Sequence, residues 1–193
     1  MKRLCVFCGS SPGRDPAYLA VATGLGRLLA ERRIGLVYGG AAIGLMGAVA
    51  IAAQEAGGEV IGVIPRALVE LEVAHTDLTD LRIVGSMHER KALMAELSDG
   101  FIALPGGIGT LEELFEIWTW GQLGSHKKPC ALLNAFGFFD QLLGFLDFVA
   151  DEGFLRPVHR DMLLVAETPL DLLEKMQGYH PPPETRWIDP DER

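Results

Sequence analysis

Arg90 and Lys91 stand side by side in MHERKALMAEL, and Glu112 and Glu113 stand side by side in PGGIGTLEEL, with a glycine-rich turn between the pairs. Adjacent cations can grip a phosphate, while a carboxylate can stabilise positive charge that develops beside it. Helical periodicity puts Arg90 on one face with Met87, Met94 and Leu97. A guanidinium on such an apolar stripe must snorkel, pair with an acid or face a ligand. Thr110 and Glu113 have the T-x-x-E spacing of a capping box, which gives Glu113 a structural duty. Glu112 is left over. With Glu116 and Thr119 it forms a polar ridge, while Leu111, Leu114, Phe115 and Trp118 take the packing side. Complementing the helix dipole is the plain alternative for Glu112.

These residues depend on the elements that carry them. Short apolar runs alternate with helical patterns along the chain, the signature of a parallel sheet with crossover helices. The pattern predicts an α/β fold, a doubly wound parallel sheet of about seven strands in a single domain over residues 1–180, with an extended Pro-rich tail at 181–193. Strands are expected at Arg3 to Phe7, Gly35 to Tyr38, Glu59 to Ile64, Arg82 to Val84 and Phe101 to Leu104, with two more strand–helix units from Cys130 and Met162. Helices are expected from Asp15-Pro16 to Arg32, Gly44 to Ala56, Met87 to Leu97 and Leu111 to Gln122. Three glycine-rich turns, CGSSPG, GGAAIGLMG and PGGIGTLEE, follow predicted strands, at the edge where open α/β sheets bind ligands. Glycine there allows backbone N–H groups to approach an anion, although each turn alone could be a tight packing turn.

Composition narrows the classes further. At 49% hydrophobic and 22% charged residues over 193, the chain suits one globular domain, and its net charge of −9 disfavours nucleic acid and anionic membranes as partners. Three cysteines give no disulfide framework, and Cys5 and Cys8 should point to opposite faces of a strand. Neither a redox CxxC nor a metal site is expected, since the five histidines lack HExxH spacing. The start lacks the apolar segment of an export signal, and the apolar stretch from Ala41 to Ala53 is too short to span a bilayer, so a cytoplasmic location is expected. The turns fit neither GxGxxG nor GK[ST], and Tyr38-Gly39 replaces the expected ribose-binding acid. A smaller phosphorylated ligand remains.

MHERKALM followed by PGGIGTLEE resembles the paired signature of the Lonely guy (LOG) phosphoribohydrolases, often labelled lysine decarboxylases, and the likeness runs from CGSS through VYGGAAIGLMG and VIGVIP to about residue 180. It implies a Rossmann-like, homodimeric enzyme without a dissociable cofactor that splits adenine-type nucleoside 5′-monophosphates, cytokinin precursors among them, into base and ribose 5-phosphate. Carried over by position, it makes Arg90 and Glu112 the catalytic pair. Lys91, Gly106, Gly107, Ile108, Gly109, Thr110 and Thr119 surround the nucleotide, with Gly9, Ser10, Gly39 and Gly40 from the first two turns and Glu72 as a base-side or ribose-side acid. Ser86, Ile108 and Ala41-Ala42 depart from the commoner pattern and bear on substrate preference.

Two other functions fit parts of this pattern. A nucleotide or pterin-cofactor carrier could use the same loops without turnover, and pyridoxal phosphate chemistry would need Lys91 as a Schiff base without any supporting motif.

Overall fold

The structure is a computed structural model that describes residues 1–69, 75, 78 and 80–183. Seven parallel strands form one sheet in the order β4-β3-β2-β1-β5-β6-β7. They are β1 Arg3–Phe7, β2 Gly35–Tyr38, β3 Val60–Pro65, β4 Asp80–Val84, β5 Phe101–Ala103, β6 Cys130–Leu133 and β7 Leu163–Ala166. The helices are α1 Ala17–Glu31, α2 Gly44–Glu55, α3 Arg66–Val69, α4 Met87–Leu97, α5 Ile108–Gln122, α6 Asp140–Asp151, α7 Pro157–Arg160 and α8 Pro169–Gln177.

The central strands are apolar on both faces because helices cover both. Leu4, Val6 and Cys8 join a core with residues of α1, α2 and α8, while Cys5 and Phe7 join a second core with residues of α4, α5 and α6. The strand period thus sends the two cysteines to opposite sides, as expected. Cys130 is buried too, and all three thiols are free. Pro65 closes β3, where it pairs with Val84 and then leads into a short helix.

Strand order reverses around β1, which lies between β2 and β5. The glycine-rich turns after β1, β2 and β5 therefore meet at a topological switch point, the crevice where sheets of this class take ligands. Backbone bonds tie them together: Gly9 N–H donates to the Pro105 carbonyl at 3.1 Å, and Leu45 N–H donates to the Gly9 carbonyl at 3.0 Å.

Two local expectations are corrected. Asp15 accepts a hydrogen bond from Ala17 N–H at 2.9 Å, but α1 starts one turn position later than its acid-proline pair suggests, with Pro16 as the flanking residue. More consequentially, α5 begins at Ile108 with Gly107 flanking it, so Thr110 lies inside the first turn and cannot cap the helix. The capping box belongs instead to α4, where Ser86 Oγ accepts from Glu89 N–H at 3.1 Å and Gly85 N–H donates to the Glu89 carboxylate at 2.6 Å.

Candidate active site

The first turn of α5 leaves backbone N–H groups without intrahelical acceptors, and no side chain caps them. That end carries the positive pole of a helix dipole and suits an anion. It opens into a cleft of about 330 Å³ whose floor and walls include Cys8, Ser10, Met46, Arg90, Glu112 and Glu113. Gly9 and the run from Gly107 to Thr110 line it as well.

Arg90 enters from α4 and is 8% exposed. One terminal nitrogen donates to the Gly39 carbonyl at 3.2 Å and lies 3.9 Å from the Glu113 carboxylate. The other approaches Met87 Sδ at 3.8 Å. Its buried Nε–H finds no acceptor among the described residues. A donor buried at the wall of a cleft can be satisfied by a ligand or water seated there. Glycine at 39 leaves room for this side chain, because a Cβ there would come within 2.0 Å of the Arg90 guanidinium and displace it.

Glu113, assigned to capping by its spacing, turns inward to Arg90 instead. Its side chain is 11% exposed. Burial pushes its carboxyl up to about 7 against the opposing pull of Arg90, with Glu112 adding repulsion. Glu112 is half exposed and reaches the same cleft, but its carboxylate pairs with Lys91 at 2.5 Å. Lys91 also meets Glu116 at 2.9 Å. It therefore braces α4 against α5, and its ammonium does not line the cleft.

The remaining residues singled out by sequence divide. Gly106 packs beneath the loop, where a Cβ would come within 2.1 Å of Thr110 Oγ1, whereas Gly107 and Gly109 face open space. Ile108 is 83% exposed at the cleft mouth. Gly40 adopts a left-handed backbone (φ 79°), and its carbonyl accepts from His75 N–H at 3.0 Å. Thr119 is exposed, about three turns along α5, and does not line the cleft. Glu72 lies outside the described residues.

Residues 46–176 match the family described as possible lysine decarboxylase. A probable cytokinin riboside 5′-monophosphate phosphoribohydrolase of Oryza sativa subsp. japonica is 52% identical over 182 residues, covering 94% of this chain and 74% of that protein. A cytokinin riboside 5′-monophosphate phosphoribohydrolase of Arabidopsis thaliana is 49% identical over 180 residues, covering 93% of this chain and 83% of its own length.

This chain belongs to the LOG family.

Solved structures place the LOG fold in wider company. The molybdenum cofactor binding protein of Rippkaea orientalis superposes with a TM-score of 0.69 at 24% identity, over 92% of this chain and 97% of its own. The molybdenum cofactor carrier protein of Chlamydomonas reinhardtii gives 0.67 at 22%, over 91% and 97%. At such identities the likeness establishes the shared Rossmann-like architecture. Among the described residues, no helix of this LOG chain is long and apolar enough to cross a membrane.

Proposed function

We propose that this chain hydrolyses the N-glycosidic bond of adenine-type nucleoside 5′-monophosphates, releasing the free base and ribose 5-phosphate. The observation that carries this reading is the meeting of a buried guanidinium, two carboxylates and an uncapped helix N-terminus in one cleft. Relatives at about half identity over nearly the whole chain are named for this activity on cytokinin riboside 5′-monophosphates, which makes prenylated adenosine monophosphates the natural substrate class to test.

In this reading the 5′-phosphate caps α5 through the N–H groups of its first turn, with Gly9 and Ser10 opposite. The ribose lies over Glu112 and Glu113. As the bond from C1′ to the base nitrogen breaks, its electron pair leaves with the purine and positive charge spreads over C1′ and the ring oxygen. An ionised Glu113, in a poorly solvated position, stabilises that charge and takes the proton of the water that adds to C1′. Glu112 holds the ribose hydroxyls at the rim. Arg90 keeps Glu113 in place and within reach of ionisation near neutral pH, and its charge favours electron build-up on the departing base, which takes up a proton from solvent while Glu113 later returns its own.

A carboxyl raised toward neutrality by burial beside Arg90 suits proton transfer during turnover, a step that a carrier does not perform. Decarboxylation through a Schiff base needs a free amine, and Lys91 is held by two carboxylates. The three buried free thiols suit a reducing compartment, consistent with a cytoplasmic enzyme. Phe145 and Phe148 on α6, with Phe154 beyond it, are more than half exposed and offer an apolar surface for a homodimer.

The deciding experiment is a panel of nucleoside mono-, di- and unphosphorylated forms scored by chromatography for liberated base. Base should appear from AMP and N6-prenyl AMP and not from adenosine. Tight binding of AMP without released base, by folded protein, would instead identify a carrier.

A further inference from the structure

A second cavity, of about 420 Å³, lies across the Gly106–Gly107 ridge from the Arg90 cleft. The two share Gly9, Ser10 and Gly107, which stand at the C-terminal ends of β1 and β5. One cavity opens beside α4 and α5. The other opens beside Tyr18 of α1 and Leu45 of α2.

The second cavity differs in chemistry. Phe138, Tyr18, Leu45 and Pro105 give it apolar walls, and Arg14 lies in its lining. Tyr18 meets Phe138 edge-on at 5.7 Å and 80°, and Phe138 rests against Phe139 at 4.9 Å and 89°. Phe138 stays 41% exposed, so the wall is braced behind and open in front. Phe136 supports Tyr18 from another side at 5.9 Å while holding a left-handed backbone (φ 56°), which a bulky residue adopts only when its surroundings impose it. An aromatic slot beside an anion cradle has the chemistry of a stacking site for a flat ring.

The placement of that slot identifies how the ring is attached. If the phosphate caps α5 as proposed above, the ribose turns toward Arg90 and the slot lies on the far side of the phosphate. A monophosphate has nothing to put there. We propose that the slot binds an aromatic ring carried on the 5′-phosphate through a second ester link, so that the two cavities together take a purine dinucleotide across their shared hub. The sequence lacks GxGxxG, which serves an anion on the helix after the first strand. Here the helix after β5 serves it, so that absence does not bear on this pose. No bond is made or broken in the slot.

This inference rests on the phosphate placement of the proposed hydrolase, and the test separates the two. Inhibition of adenine release from AMP is compared for 5′,5′-diadenosine monophosphate and the methyl ester of AMP, which carry the same phosphodiester charge. The dinucleotide should inhibit about tenfold more tightly, the size of one stacked base. Phe138→Ala and Arg14→Ala should each narrow that gap while leaving AMP turnover unchanged. Equal inhibition by the two esters, or a gap that survives in both variants, overturns the proposal. If AMP is not hydrolysed at all, the hydrolase reading fails by itself. Calorimetric binding of the same two esters to the natural protein and to Phe138→Ala then decides the slot by the same tenfold criterion.

Discussion

The Arg90 guanidinium stands 3.9 Å from the Glu113 carboxylate across the α4–α5 interface, while neighbouring Glu112 is paired with Lys91 at 2.5 Å. Two adjacent acids thus have different environments. A helix turns about 100° per residue, so Glu113 is carried into the interface and Glu112 to the rim.

Glu113→Gln should cost more turnover than Glu112→Gln. Removing the buried carboxylate deletes charge where solvent screens it least, so kcat for base release should fall about a hundredfold or more, against about tenfold for the rim acid. Arg90→Ala should lose at least as much as Glu113→Gln. Steady-state base release from AMP, with circular dichroism confirming the fold, gives the ranking. Equal losses for the two glutamates would remove the distinction.

A carboxyl raised to about 7 makes activity pH-dependent, provided its ionised form does the work. The kcat/KM profile should rise through a limb near pH 7 that Glu113→Gln lacks. Stability moves the other way. Because the fold raises this acid above its ordinary value of 4.5, it favours the protonated form. That contribution is complete below pH 4.5 and is lost as pH rises through 7. Relative to Glu113→Gln, the natural protein should therefore lose up to about 3 kcal/mol across that window. Thermal melts of both proteins between pH 4.5 and 8 measure the difference.

Gly39→Ala should leave a folded protein with little activity. Its new methyl would sit 2.0 Å from the Arg90 terminal nitrogen, so the guanidinium must leave the Gly39 carbonyl and shift from Glu113. A displacement of this size costs about a hundredfold in a positioned site. The check is kcat beside an unchanged melting cooperativity.

Lys91→Met tests a brace against a phosphate ligand. If the ammonium only ties α4 to Glu112 and Glu116, KM for AMP should stay within about threefold and the protein should lose about 1 kcal/mol, a small figure because Glu112 is half exposed. A KM raised a hundredfold with unchanged melting would restore Lys91 to the phosphate.

Much of the architecture was legible because parallel strands buried on both faces read as short apolar runs, and punctuating residues mark their ends. β1, β2 and α4 fall on their expected residues. The start of α5 is not legible in the same way. The glycine turn before α5 allows the helix to begin at Ile108, and the T-x-x-E spacing of Thr110 and Glu113 imitates a cap. Glu89, three residues after Ser86, has the same spacing, and there the cap does form.

The sequence by itself determined the layered α/β class, the three turns on one sheet edge and the presence of Arg90 on an apolar helix face, because these follow from local periodicity and backbone stereochemistry. Only the tertiary structure decided which acid Arg90 meets, that Lys91 is spent in ion pairs, and that a second aromatic cavity adjoins the first. Those outcomes depend on how α4, α5 and the β1 turn pack in three dimensions, and burial, which sets the charge of Glu113, is a property of that packing rather than of spacing along the chain.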